Sequence, residues 1–237
     1  MLDWIKKIFC SDIISENEKL KISLINSNSN IDFLQNQLKI LQAPKNPLEL
    51  YYNIKYPQVN LTYLRHETDG DYNIDLRNFF MLNDAGIPCV SGVSDDEKAL
   101  NALKYVIKNI TYIEDKTDYG YPEYWAYGYQ TLKRKKGDCE DGAILLANIM
   151  VKSGIPYWKV RLSAGDVKGG GHCYVTYYCE SKDIWVVLDW CYWPNQLAIP
   201  DRKNYKDEIN YLNVWFSWNR DYCFSQGTNL VANEYLK

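Results

Sequence analysis

Gly137-Asp138-Cys139-Glu140-Asp141-Gly142-Ala143, running on to Gly154-Ile155-Pro156, is the stretch whose reading decides the fold. Asp138 is suited to cap a helix N-terminus, and Ala143, Leu146, Ala147 and Met150 recur at the spacing of one buried helical face. Gly154 supplies the left-handed stop and Pro156 forbids continuation. Strand-like runs follow at Trp158–Leu162, His172–Tyr178 and Ile184–Asp189, the last two joined by a Glu180-Ser181-Lys182-Asp183 turn. One helix followed by antiparallel strands predicts an α+β domain.

The spacing also carries chemistry. Cys139 falls on the first helical turn, where unpaired N–H groups and the positive end of the helix dipole favour a thiolate and can donate to an oxyanion. A cysteine alone is more often a small buried side chain. The chain has two histidines, His66 and His172. His66 lies between Arg65 and Glu67 in an irregular region and reads as structural. His172 follows Gly169-Gly170-Gly171, where the backbone is free to bend, and shares a strand face with Tyr174 and Thr176. A tight turn about Ser181-Lys182 pairs Tyr174 with Asp189. Asp189 then lies diagonal to His172, about 7–8 Å away at the backbone, and can hold the imidazole in one tautomer. A slip of one residue would turn Asp189 to the other face.

Around these residues the sequence resembles the transglutaminase-like superfamily. Residues 137–143 match its Gly-Asp-Cys-Glu-Asp-x-Ala signature, and His172 and Asp189 complete its Cys, His, Asp order. The form is similar to bacterial transglutaminase-like cysteine proteinases, and the likeness spans roughly residues 95–195. It implies a papain-like core in which Cys139, His172 and Asp189 are catalytic and act on a protein or peptide amide through a thioacyl-enzyme. Transfer to water gives proteolysis or deamidation, and transfer to an amine gives a crosslink. Trp125 and Gln130 are candidate oxyanion donors. Tyr174 and Trp190, which depart from the residues most relatives carry after the histidine and the aspartate, are candidate pocket walls.

The rest of the chain sets bounds. The N-terminal residues 1–43 carry Ile13, Leu20, Leu24, Ile31, Leu34, Leu38 and Leu41 on the a and d positions of a heptad. With Asn17 and Ser27 filling the remaining seam positions, this predicts a helical, coiled-coil-like arm for an oligomer or a partner protein, weakened by Asn26–Asn30. Pro44 and Pro47 end it. Residues 44–93 read as an irregular connecting region with strand-like or short helical pieces and loop signals at Asp69-Gly70 and Gly86-Ile87-Pro88. A catalytic domain is expected over 94–237, opening with a Ser94/Glu97 capping box and a helix face of Leu100, Leu103 and Ile107.

A formal net charge of -3 argues against a broad nucleic-acid surface. Seven cysteines without a Cys-x-x-Cys pair, and only two histidines, offer no coherent metal-ligand set, so no metal and no cofactor are expected. Residues 1–9 lack a signal-peptide core and no stretch reaches the length of a membrane span. A reducing, cytoplasmic setting follows, or a virion-associated one for a chain of phage origin. The competing expectation is a non-catalytic assembly or binding protein of phage or bacterial type, with the papain-like core as scaffold and the N-terminal helix for docking.

Overall fold

A computed structural model describes residues 60–81 and 86–225. The expected arm over 1–43 lies outside the described residues.

The segment read as an irregular connector instead builds structure. Strands β1 (Thr62–Glu67) and β2 (Gly70–Asp75) form an antiparallel hairpin, and Gly70 at φ +150 takes a conformation that side chains resist. A 3-10 turn, Leu76–Phe79, follows. Leu76, Phe79, Phe80 and Ile87 then enter the main core, so residues 60–81 belong to the same packed body as the later elements. The connector reading missed this because each apolar residue is isolated in sequence and gathers only in space.

Helix α1 (Asp95–Asn109) starts at Ser94, whose hydroxyl accepts from the Glu97 N–H at 3.2 Å. The Glu97 carboxylate reaches back one residue further than expected, to the Val93 N–H at 2.7 Å. The buried face is Ala99, Ala102, Leu103 and Val106, with Leu100 and Ile107 at its margins. Next comes β3 (Thr111–Tyr112), the short α2 (Asp115–Asp118), α3 (Gly128–Arg134) and β4 (Lys136–Gly137). Arg134 and Lys136 both pair with the Asp118 carboxylate.

Helix α4 (Cys139–Lys152) is buried along nearly its whole length. It ends as expected: Gly154 sits at φ +90, and the Gly154 and Ile155 N–H groups bond back to Val151 and Met150. Beyond it, Tyr157–Lys159 form a 3-10 turn rather than a strand. β5 (Val160–Val167) therefore starts later and runs further than the periodicity suggested. β6 (Gly170–Cys179), β7 (Ile184–Leu188), β8 (Tyr211–Trp218) and β9 (Cys223–Ser225) complete an antiparallel sheet of order β7-β6-β5-β8-β9. The β6–β7 register is the expected one, pairing Val175 with Leu188 and Cys179 with Ile184.

Alternation along β6 sorts the two faces. Cys173, Val175, Tyr177 and Cys179 face the core shared with α4 and α1. Tyr174 and Tyr178 face an aromatic layer with Tyr205, Tyr211 and Trp185. The sheet is thus covered on both sides, which explains the heavy load of Tyr and Trp in this half of the chain.

One contact ties α4 to the segment after β7. The Trp190 indole N–H donates to the Cys139 carbonyl at 3.0 Å, and a Cβ built on Gly142 would lie 2.1 Å from the Trp190 ring. Gly142→Ala is expected to cost about 3 kcal/mol by overpacking. Thermal unfolding should show a fall of about 6–12 °C; an unchanged midpoint would mean that this contact is looser than the structure shows.

Candidate active site

Of the residues singled out in the sequence, His172 and Asp189 meet, Cys139 stands at the head of α4, and the others are dispersed. Cys139 opens α4 and is half-buried. His172 lies near the start of β6, and Asp189 is the first residue beyond β7; both are buried. His172 Nε2 and Asp189 Oδ2 are 2.9 Å apart. This geometry follows from the hairpin register, which carries Asp189 to the face of Tyr174 and its diagonal neighbour. The other carboxylate oxygen accepts from the Cys191 and Tyr192 N–H groups at 3.0 and 3.1 Å. Burial alone would raise the Asp189 carboxyl, but the hydrogen bond and charge of His172, with the Cys191 N–H and Tyr211 hydroxyl, outweigh it and hold the group below its ordinary value.

The thiol differs from expectation. A helix N-terminus favours a thiolate, yet burial, followed by Cys173 and Asp138 nearby, pushes Cys139 well above its ordinary value. Its sulfur donates to Glu140 Oε2 at 3.2 Å, and among the described hydrogen bonds none joins it to His172. Half a unit of dipole charge does not offset a desolvated site crowded with carboxylates.

The dispersed residues are packed elsewhere. Trp125 stacks on Tyr63 and Trp218 in the core, and its indole N–H is engaged by Glu123 at 2.5 Å. Gln130 accepts from the Tyr127 N–H at 2.8 Å, capping α3. The Trp125 indole N–H is thus committed to Glu123, and the Gln130 side-chain oxygen to the α3 cap. Tyr174 is fully buried beneath His172, ring centroids 5.8 Å apart, with its hydroxyl on Tyr205. Trp190 is buried against Gly142. Both support the site rather than line an open pocket. The sequence reading missed Tyr192, whose exposed ring packs 4.4 Å from His172, and Tyr211, whose hydroxyl bonds Asp189. A cavity of ≈ 580 Å³ lies behind Asp189, lined in part by Tyr192, Trp193, Arg202 and Tyr211.

The acids of the signature do not behave as surface caps. Asp138 occupies the N-cap position, but its side chain makes no capping hydrogen bond. The parallel pairing of β3 with β4 sets Tyr112 beside Gly137, which brings the start of α2 next to the start of α4. Carboxylate oxygens of Asp115, Asp138 and Asp141 then fall within 4.8 Å of one another, and so do those of Asp115, Glu123 and Glu140. Four buried oxygens here have no hydrogen-bond partner: Asp115 Oδ1, Asp138 Oδ1, Glu140 Oε1 and Asp141 Oδ2. Burial first, then the neighbouring acids, pushes Asp115 up to about 7 and Asp138 up to about 6, with Glu140 and Asp141 raised well above their ordinary values. An all-oxygen, anionic and unsatisfied donor set fits a hard divalent cation of the calcium class. The expectation of no metal rested on histidine and cysteine spacing, which is blind to carboxylates brought together by a strand pairing.

A cysteine heading a buried helix and a His–Asp pair on the antiparallel sheet that the helix packs against are the parts of a cysteine-dependent peptidase or acyltransferase. Residues 81–190 match the Transglutaminase-like superfamily, so this segment is a transglutaminase-like core within an α+β fold. No curated protein matches the chain. Among solved structures, Legionella pneumophila LapG in its calcium-bound form is 17% identical at a TM-score of 0.44, over 54% of this chain and 67% of that one. The EGTA-treated form is 18% identical at 0.44, over 57% and 69%. Among the described residues no helix is long and apolar enough to cross a membrane.

Proposed function

We propose that the protein is a cysteine-dependent amide hydrolase or acyltransferase, of protease, deamidase or transglutaminase type, acting on protein or peptide substrates. The observation that carries this reading is the buried 2.9 Å His172–Asp189 pair, set against the strand and loop that hold the head of α4. Asp189 accepts a hydrogen bond from His172 Nε2–H, which leaves Nδ1 to exchange a proton with Cys139. The Cys139 sulfur adds to the amide carbonyl, His172 protonates the departing amine, and the C–N bond breaks to leave a thioester. Water or a second amine, deprotonated by His172, then displaces the sulfur and regenerates the thiol. The Cys139 N–H, in the first turn and without an intrahelical acceptor, is the candidate oxyanion donor.

Asp115, Asp138, Glu140 and Asp141, with Glu123, would hold the divalent cation. Once bound, it would neutralise the acids that oppose a thiolate at Cys139 and compete for its proton. Alkylation of Cys139 by iodoacetamide, followed by mass spectrometry against the other cysteines, tests the reading. In the presence of calcium, Cys139 should label fastest near neutral pH, and His172→Ala should slow it about tenfold or more, one factor of ten for each unit of lost pKa depression. Labelling at the rate of the other thiols, indifferent to His172→Ala, would overturn the proposal.

A further inference from the structure

Tyr211 stands outside the segment matched by the superfamily and outside every motif read from the sequence, yet it touches the acid–base pair directly. Its hydroxyl donates to Asp189 Oδ2 at 2.8 Å, the same oxygen that faces His172 Nε2 at 2.9 Å. The ring is buried on β8, edge-on to Tyr174 at 4.7 Å and to Trp193 at 5.4 Å, so the hydroxyl has little freedom to turn away. We propose that Tyr211 is a positioning residue that shares Asp189 Oδ2 with His172, fixing the carboxylate and limiting the negative charge that the imidazole sees.

The two donors share the charge of one oxygen. An oxygen that accepts two hydrogen bonds presents less unscreened charge to either donor, and a neutral phenol can donate without taking the proton itself. Burial and the Asp189 charge both disfavour ionisation of the Tyr211 phenol, so it remains a donor across the working range. The other groups facing the pair stay in place when this hydroxyl is removed. They are the Cys191 sulfur, within 4.8 Å of ligand atoms of both residues, the Tyr192 ring at 4.4 Å, the Tyr174 ring at 5.8 Å, and Glu208, whose charge acts on Tyr211. The sign follows. Without the phenol, Asp189 Oδ2 acts on His172 alone, the imidazolium is better stabilised, and the histidine titrates higher.

The inference rests on the proposed role of His172, but its test reads the histidine itself and needs no turnover. With only two histidines, the imidazole resonances divide between His172 and the exposed His66, which serves as an internal reference. Proton NMR titration of the full chain should show His172 moved up by about one half to one pH unit in Tyr211→Phe, with His66 unmoved. Tyr205→Phe is the structural control. It removes another buried hydroxyl from the same aromatic layer, bonded to Tyr174 and not to Asp189, and should leave His172 in place. An unmoved or lowered His172 in Tyr211→Phe, or an equal rise in Tyr205→Phe, would overturn the inference. In the unmodified protein the bonded hydroxyl should also give a slowly exchanging downfield resonance that Asp189→Ala removes; a wild type without it argues against the inference even if a variant fails to fold. Failure here leaves Cys139 alkylation untouched, and failure of that alkylation leaves the His172 shift measurable, so the two readings are judged separately.

Discussion

Calcium added to the chelator-treated protein at pH 8 is expected to raise its unfolding midpoint by about 5–10 °C. At a hundredfold excess over the dissociation constant, a ligand bound only to the native state contributes about 2.7 kcal/mol. A domain of this size gains about 2–4 °C for each kcal/mol. The basis is the crowding of Asp115, Glu123, Asp138, Glu140 and Asp141, with four buried oxygens unpartnered. The pH dependence fixes the sign independently. Asp115 at about 7 and Asp138 at about 6 both lie above the ordinary 3.8, so the native state binds more protons than the unfolded chain between roughly pH 4 and 7. The metal-free protein should therefore lose stability as pH rises through that window, and calcium should restore it most at the alkaline end. Differential scanning calorimetry across pH 4–8, with EDTA or with calcium, makes the comparison. A midpoint indifferent to calcium, and flat against pH in EDTA, would rule out a cation site in this cluster.

Asp189→Asn is expected to be the most damaging isosteric change in the chain. Four donors converge on the carboxylate: His172 and Tyr211 on one oxygen, the Cys191 and Tyr192 N–H groups on the other. An amide has one accepting end, so its NH₂ must face two donors whichever way it turns. With the amide oxygen toward Cys191 and Tyr192, the NH₂ meets His172 and Tyr211. Flipped, it meets the two backbone groups that hold the loop. Removing one partner from a buried charge pair costs about 3–5 kcal/mol. Calorimetry should register a fall of about 10 °C for a domain of this size. The loss of an oriented proton carrier should reduce any amide-bond turnover by about 10²–10⁴. A variant with wild-type stability and wild-type His172 titration would mean that the carboxylate is not held as the structure shows.

The two expectations differ in how far the sequence anticipated them. The His172–Asp189 contact was legible because it depends on local rules. A four-residue turn set the hairpin register, and alternation along β6 and β7 then decided which side chains share a face. The helix from Cys139 to Lys152 was legible for the same reason, since its apolar spacing and its Gly154 stop are written within one short window. The orientation of side chains at element ends was not. Asp138 occupies the capping position without capping, and the Cys139 thiol turns to Glu140. Asp138 is crowded by Asp115 from α2, and the Cys139 thiol by burial and by Cys173 from β6, neither of them close along the chain.

What the sequence alone determined is therefore the helix, the hairpin and the order of cysteine, histidine and aspartate. Each rests on interactions between residues close along the chain or on a fixed periodicity. Tertiary structure decided the rest. Residues 60–81 joined the core, Trp125 and Gln130 were spent on packing and capping, and five carboxylates were gathered around the head of α4. It also brought Tyr211, from the strand next to β5, to the Asp189 carboxylate. None of these has a period or a local motif, because each arises where separate elements meet and burial changes what a charged or polar group must do.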